Sequence, residues 1–130
     1  MRKTVIHTSN AAVTGAPLVQ AVRFGNLLFP SGQSPRDPRN DNRVVDGGMK
    51  EHTRQSLENL KAVLEAAGSG LPHVLKATCY VVDIDSNLAP LNEVWREYFG
   101  DDLPARTVLG VAKLRENYLC EIEAVAYVPE

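Results

Sequence analysis

Two segments of the chain space their apolar residues at the helical period of about 3.6. In residues 49–67 the apolar and small side chains fall on one stripe, and most charged residues lie elsewhere; residues 86–99 repeat the pattern. Gly68 and Gly100 follow the two segments, where glycine commonly ends a helix. Pro90 falls in the first turn of the second segment, where its missing N–H costs little. The pattern predicts two amphipathic helices.

Shorter segments alternate apolar and polar residues or are rich in β-branched side chains, and these predict strands. The apolar runs 18–23 and 27–30 flank a Gly-Asn pair, which predicts a hairpin. The glycine- and proline-rich stretch 31–48 predicts a loop, with Arg43-Val44-Val45 as a candidate small strand inside it. The remaining predicted strands are residues 4–7, 77–82, 106–111 and 118–128.

The last predicted strand alternates between two sets of side chains, which indicates what each face of the sheet packs against. One set of side chains is Cys120, Ile122, Ala124, Ala126 and Val128, and the other set is Leu119, Glu121, Glu123, Val125 and Tyr127. Two strand–helix–strand units predict an α+β fold, a mixed sheet with both helices packed on one face. The second set mixes apolar with acidic residues and is hard to leave in water. We therefore expect that face to pack against other copies in a closed homo-oligomer.

Composition narrows the classes of function. A chain of 130 residues fits a single domain, residues 1–130. The formal net charge of -2 offers no broad cationic surface, which argues against nucleic acid as a partner. No apolar run approaches the roughly 18 residues of a membrane span, and no export signal is evident. We expect a cytoplasmic protein without membrane contact.

The cysteines and histidines give no pattern of metal or redox chemistry. Cys79 and Cys120 lie inside predicted strands without CxxC spacing, so both are interpreted as reduced core residues. His7, His52 and His73 are scattered along the chain without ligand spacing. The sequence therefore predicts no metal site.

The most informative motif is Pro104-Ala105-Arg106-Thr107, followed closely by a strand that carries Glu121 and Glu123 on one face. Arginine presents a planar fork of donors that matches a carboxylate through two bonds. A carboxylate facing it can hold a water or move a proton. These groups suit hydrolysis of a small carboxylate-bearing substrate. The alternative is an ordinary ion pair between two strands, which usually contributes little.

Several motifs in sequence order resemble the RidA (YjgF) family, part of the endoribonuclease L-PSP-like superfamily. They are Ser31-Gly32-Gln33, Arg54-Gln55-Ser56-Leu57-Glu58-Asn59-Leu60, Glu65-Ala66-Ala67-Gly68, Leu91-Asn92, Pro104-Ala105-Arg106-Thr107 and Glu121-Ile122-Glu123-Ala124. Each motif is weakly specific alone, but the ordered set extends over nearly the whole chain.

The resemblance implies a chorismate-mutase-like fold assembled as a homotrimer, with active sites in clefts between subunits. It also implies hydrolytic deamination of reactive enamines and imines, such as 2-aminoacrylate, to 2-keto acids and ammonia. No cofactor is implied.

By the same resemblance, individual residues take roles. Arg106 would bind the substrate carboxylate, and Glu121 would orient the attacking water and relay a proton. Ser31 and Gly32 would line the cleft, and Asn92 would reach the pocket across a subunit boundary. Each residue also has a purely structural interpretation: an ion pair for Arg106 and Glu121, a strand end for Ser31 and Gly32, and a solvent-facing position for Asn92.

Two positions depart from the usual family pattern. Leu18 replaces a tyrosine and Val108 replaces a cysteine. Both changes make the expected pocket wall more apolar, and the first removes a hydroxyl. Glu123, on the same face as Glu121, is interpreted as an interface salt bridge rather than a catalytic group.

Three alternative functions are considered. Ribonuclease activity is disfavoured by the acidic net charge and by the absence of a histidine pair near a catalytic lysine. A non-catalytic module that binds small carboxylates or keto acids would keep Arg106 as its anchor and would fit the missing tyrosine. A pathway-specific deaminase, for instance of an aminomuconate-like intermediate, would use the same residues.

Overall fold

A computed structural model describes all residues from 1 to 130. The helices are α1 (Met49–Ala66) and α2 (Ile84–Phe99). The strands are β1 (Thr4–Ile6), β2 (Ala21–Phe24), β3 (Leu27–Pro30), β4 (Arg36–Asp37), β5 (Arg43–Val44), β6 (Val74–Val82), β7 (Ala105–Val111) and β8 (Cys120–Tyr127). A single 3-10 turn, Leu71–His73, precedes β6. Neither helix carries an apolar stretch long enough to cross a membrane.

Six strands form one mixed sheet in the order β1-β2-β3-β8-β6-β7. Strands β6 and β7 are parallel, and every other neighbouring pair is antiparallel. The helices α1 and α2 connect β3 to β6 and β6 to β7, and they pack together on one face of the sheet. The predicted α+β architecture is confirmed. The last strand, β8, lies in the middle of the sheet, so residues far apart in sequence share its two faces.

The core lies between this face and the two helices. Side chains that are fully buried there include Leu57, Leu60, Leu64, Leu91, Val94, Val81 and Ile122. Burying one such side chain contributes about 1.5–3 kcal/mol relative to leaving it in water. The alternation predicted for β8 is also observed, because Cys120, Ile122, Ala124 and Ala126 are buried while their neighbours are not.

The second helix begins earlier than predicted. It starts at Ile84, after Asp83 in the left-handed region (φ 53°), and Pro90 therefore lies in its second turn rather than its first. Because proline has no N–H, the helix loses one interior hydrogen bond at this point. The Asn87 side chain supports the start of the helix by donating to the Val82 carbonyl (2.7 Å).

The hairpin is observed with a two-residue turn, Gly25 and Asn26, but its first strand is shorter than predicted. It starts at Ala21, and Leu18 lies in the preceding loop with 54% of its surface exposed. The candidate strand in the long loop is also present, because β4 and β5 pair as a small separate sheet. The sequence pattern there is too short to distinguish a strand from an ordered loop.

The face of the sheet opposite the helices, which we call the open face, carries exposed large side chains. Those from β2, β3, β7 and β8 are Phe24, Leu27, Phe29, Leu109 and Tyr127, each more than one third exposed. Both helices pack on the other face of the sheet and do not cover them. Glu121 and Glu123 stand on this same face, opposite Tyr80 and Thr78 of β6.

Candidate active site

Arg106 is held on the helix side of the sheet by the register of β7. It pairs with Ala77 of β6, which is fully buried beneath the helices, so the Arg106 side chain rises toward α2. There it lines a cleft of about 170 Å³ whose other walls include Asn92, Leu103 and Pro104. Since β7 is the edge strand, this cleft opens at one side of the molecule.

Two side chains of α2 fix the Arg106 guanidinium. Its Nη2 donates to Asn92 Oδ1 at 2.7 Å, and its Cζ lies 5.0 Å from the centre of the Trp95 ring. Its Nη1 is buried and has no hydrogen-bond partner in the chain. Leaving a buried cationic donor without an acceptor costs up to several kcal/mol of free energy. Such a donor therefore marks a position where an acceptor would bind well. We call Arg106, Asn92 and Trp95 the arginine cluster.

Val108 lies two residues farther along β7 on the same face, half-buried against the core. Val108 pairs with Cys79 of β6. Burial raises the pKa of the Cys79 thiol to about 12, and the charge of Arg106 opposes this with a smaller effect. Cys79 therefore stays protonated at neutral pH and supplies no nucleophile. The walls beside the arginine cluster are apolar and chemically inert.

Glu121 stands on the open face of β8, directly opposite Tyr80. Its carboxylate lies against the backbone of Gly32, where a Cβ would come within 2.4 Å of Glu121 Oε2. No cation of the chain forms an ion pair with it. Burial, followed by the nearby charge of Glu123, raises the pKa of the Glu121 carboxyl. The group is thus set up to hold or pass a proton.

Glu123 has a partner within its own chain. The Tyr80 hydroxyl donates a short hydrogen bond to Glu123, and this bond is the largest cause of the raised pKa of Tyr80. The hydrogen bond therefore places the Glu123 carboxylate beside Glu121 on the same face. The interface salt bridge expected for Glu123 remains a prediction, but part of its bonding capacity is used by Tyr80.

Leu18, Ser31 and Gly32 line one cavity of about 210 Å³. The Ser31 hydroxyl donates to the Val19 carbonyl (2.6 Å), which leaves the hydroxyl oxygen free to accept. The pairing of the chain with β8 shifts by one residue between Leu28 and Gln33, and this bulge places Gly32 beneath Glu121. We call Leu18, Ser31, Gly32 and Glu121 the glutamate cluster.

The structure separates the two residues that the sequence suggested would face each other. Arg106 lies on the helix face and Glu121 on the open face, and β6 runs between their strands. The sequence interpretation of a carboxylate facing Arg106 across neighbouring strands is therefore wrong within one chain, because strand order could not be read from the motif. Asn92 contacts Arg106 of its own chain, and its reach across a subunit boundary remains a prediction.

Sequence reasoning missed Trp95 and two buried amides. Trp95 is only 4% exposed, as expected of a core residue, but its ring also supports Arg106. Gln20 and Asn59 bind the loop around Ala12 through their side chains. The only sequence signal for the role of Trp95 is its i, i+3 spacing from Asn92, which puts both side chains on one helix face.

The remaining ionisable groups form no metal centre. No three His, Cys, Asp or Glu side chains lie close enough together to hold a metal ion. His52 is buried in α1, where its Nε2 bonds to the Val45 carbonyl and its Nδ1 accepts from Leu119 N–H. The chemistry available is therefore one fixed guanidinium and one carboxyl with a raised pKa, on two separate surfaces.

Comparison with known proteins agrees with this fold. The model of the family described as endoribonuclease L-PSP matches residues 8–128. A RutC family protein of Pyrococcus horikoshii is 48% identical over 125 residues, which cover 96% of this chain and 98% of that protein. The chain belongs to the endoribonuclease L-PSP family, which includes the RutC and Rid proteins.

Two solved structures share this fold. The crystal structure of RidA from an Antarctic Psychrobacter is 35% identical with a TM-score of 0.91, covering 96% of this chain and 99% of that one. The structure of Escherichia coli TdcF with bound serine is 33% identical with a TM-score of 0.88, covering 95% and 98%.

Proposed function

We propose that the protein hydrolyses reactive 2-imino acids, and the enamines in equilibrium with them, to 2-keto acids and ammonia. The observation that carries the proposal is the arginine cluster. A guanidinium oriented by Asn92 and Trp95, with an unpaired buried donor, is suited to bind a carboxylate. The serine bound in TdcF is an amino acid, whose carboxylate has the same chemistry as that of an imino acid.

The reaction needs few groups. Arg106 holds the carboxylate next to the carbon–nitrogen double bond, and a water held by Glu121 and by main-chain groups near Val108 adds to that carbon. One water proton passes through the Glu121 carboxyl to the nitrogen, and the resulting carbinolamine expels ammonia as the ketone forms. Because imines hydrolyse unaided in water, positioning accounts for most of the required acceleration. A raised pKa suits Glu121 to both accept and return the proton.

One copy of the chain does not present both clusters to one substrate, since they occupy opposite faces of the sheet. A second copy that packs its arginine edge against the open face would bring Arg106 near Glu121. Repeating that contact around a threefold axis closes the assembly and covers the exposed apolar side chains of the open face. We therefore propose a homotrimer with three active sites, each made by two subunits.

The direct test is ammonia release when the protein is added to an amino-acid oxidase that generates imines in solution. Arg106→Ala should lower kcat/KM roughly 30- to 1,000-fold, the cost of one bidentate charge-assisted contact. Arg106→Lys keeps the charge and should recover only part of the activity, because the planar fork is lost. Full activity in Arg106→Ala, with an unchanged melting temperature, would contradict the proposed role.

Hybrid assemblies test whether the site is shared. Arg106→Ala and Glu121→Gln subunits are coexpressed with different tags, and only particles that carry both tags are purified. In a ring of three, any hybrid holds a single interface where an intact Arg106 meets an intact Glu121. Such hybrids should recover about one third of wild-type activity, although each parent is inactive. No recovery would indicate that both residues act within one chain.

A non-catalytic role in binding small carboxylates is the second candidate, favoured by the glutamate cluster. Leu18 brings no hydroxyl, and the Ser31 hydroxyl proton is engaged by Val19. Such a module would bind pyruvate in an Arg106-dependent manner and release no ammonia above the uncatalysed rate. The oxidase-coupled assay separates the two functions.

A further inference from the structure

We infer that Trp95 is a positioning residue, whose indole face fixes the Arg106 guanidinium in the orientation that receives a carboxylate. The inference rests on the proposed function and adds a residue that carries no reacting group. The Arg106 Cζ lies 5.0 Å from the centre of the indole ring, within the range of a cation–π contact.

The guanidinium is restrained in two directions. The Trp95 ring bounds the guanidinium on one side, and the Asn92 bond to Nη2 restricts its rotation. Asn92 and Trp95 lie three residues apart, on one face of α2, so a single rigid helix supplies both contacts. Together they explain how a charged side chain can keep a buried Nη1 without a partner in the chain.

Trp95 is itself held firmly. Only 4% of its surface is exposed, and its ring packs against Phe99 with 4.5 Å between ring centres. A platform anchored in this way lets the arginine lose little conformational freedom on binding, which lowers the entropy cost of recognition. A flexible apolar residue would fill the same core volume without a negatively polarised face for the cation.

The alternative is that Trp95 only fills the core. A double-mutant cycle distinguishes the two roles. The dissociation constant of pyruvate, the simplest 2-keto acid, is measured by calorimetry for wild type, Trp95→Met, Arg106→Gln and the double variant. Melting temperatures of all four report the core contribution separately. Phe99→Leu is the matched control, since it removes the aromatic neighbour of Trp95 and leaves Trp95 in place.

We expect Trp95→Met to weaken pyruvate binding roughly tenfold where Arg106 is present, and by less than twofold in the Arg106→Gln background. The melting temperature should fall equally in both backgrounds. Trp95→Tyr keeps an aromatic face and should retain most of the affinity. If Trp95→Met does not fold, Trp95→Phe runs the same cycle, with an expected loss of about threefold because its ring face is weaker.

Equal losses of affinity in the two backgrounds, or a loss in Phe99→Leu as large as in Trp95→Met, would overturn the inference and leave the proposed function standing. An unchanged pyruvate affinity in Trp95→Met would do the same. A wild-type protein that binds no pyruvate and hydrolyses no imine would overturn the proposed function, and the positioning role with it.

Discussion

At the scale of single residues, burial and then the charge next to Glu121 raise its proton affinity. Glu123 stands two residues along the same face and accepts a hydrogen bond from the Tyr80 hydroxyl. Both burial and this neighbouring charge disfavour the ionised form of Glu121 and raise its pKa.

Glu123→Gln should therefore lower the pKa of Glu121, because a like charge is removed while burial is unchanged. Carbon NMR titration of the Glu121 carboxyl measures the midpoint directly, and the low-pH limb of kcat/KM should move to lower pH with it. Tyr80→Phe is the matched control, since it removes the hydrogen bond and keeps the charge, so most of the elevation should remain. A Glu121 midpoint that does not move in Glu123→Gln would contradict this electrostatic account.

Gly32 shows why the position beneath Glu121 has no side chain. A Cβ there would meet Glu121 Oε2 at 2.4 Å, and the flexible carboxylate would have to move away. Gly32→Ala should lower activity at least tenfold by displacing Glu121, with little change in melting temperature. In the control Gly70→Ala, the new Cβ meets only Pro72 at 3.6 Å, an ordinary contact, so both activity and stability should persist. Full activity in Gly32→Ala would show that Glu121 need not stay where it is.

At the scale of elements, α1 holds the long loops in place through two buried polar residues, Asn59 and His52. The Asn59 amide donates to the Ser34 and Arg36 carbonyls (2.9 and 2.8 Å), and its oxygen accepts from Ala12 N–H (3.2 Å). The wall of the Leu18–Ser31 cavity therefore depends on a helix that does not line it.

Asn59→Ala should reduce the free energy of unfolding by roughly 3 kcal/mol, because three buried backbone groups would lose their partners. Chemical denaturation measures the loss. Asn40→Ala, an exposed asparagine in the same loop region, should change stability by less than about 0.5 kcal/mol. Equal effects of the two substitutions would argue against the tether.

His52 makes the same helix sensitive to acid. Its Nε2–H donates to Val45 and its Nδ1 accepts from Leu119, an arrangement that requires the neutral ring, and burial lowers its pKa. In the unfolded chain the ring takes up a proton near pH 6.5, whereas the folded protein takes it up only at lower pH. Stability should be full above about pH 6.5 and fall as the pH decreases toward the folded pKa.

The melting temperature of wild type should therefore fall between pH 8 and pH 5.5 by more than that of His52→Gln, whose amide can both donate and accept. His7→Gln, which changes an exposed histidine, should keep the wild-type pH dependence. An identical pH dependence in His52→Gln and wild type would exclude His52 as the source.

At the scale of the whole molecule, the open face is the surface that we expect to mediate assembly. Phe24, Leu27, Phe29 and Tyr127 leave large apolar side chains exposed on the face of the sheet opposite the helices. Light scattering should give a particle of three times the 14.2 kDa chain mass at micromolar concentration.

Phe29→Glu places a charge in the centre of that surface and should dissociate the particle and abolish activity. Leu88→Glu, an exposed position on the helix side, should keep the particle intact. A wild-type protein that is monomeric and active would contradict both the trimer and the shared site.

The sequence by itself determined the parts of this protein that depend on local patterns. Apolar period placed both helices, alternation separated the two faces of β8, and the Gly-Asn pair placed the hairpin turn. The motifs around Arg106 and Glu121 identified the family, because each is a short segment that can be read without knowing its neighbours. The start of α2 was predicted too late, because Pro90 is typical of a first turn but lies in the second turn of a helix that begins after Asp83.

Only the tertiary structure decided how these parts meet. The insertion of β8 between β3 and β6 put Glu121 beside Gly32, and the parallel pairing of β6 with β7 turned Arg106 toward Trp95. Strand order and facing depend on contacts between residues far apart in sequence, and a one-residue change of register would move each side chain to the other face. The separation of the two clusters, and hence the case for a site between subunits, follows from that long-range geometry.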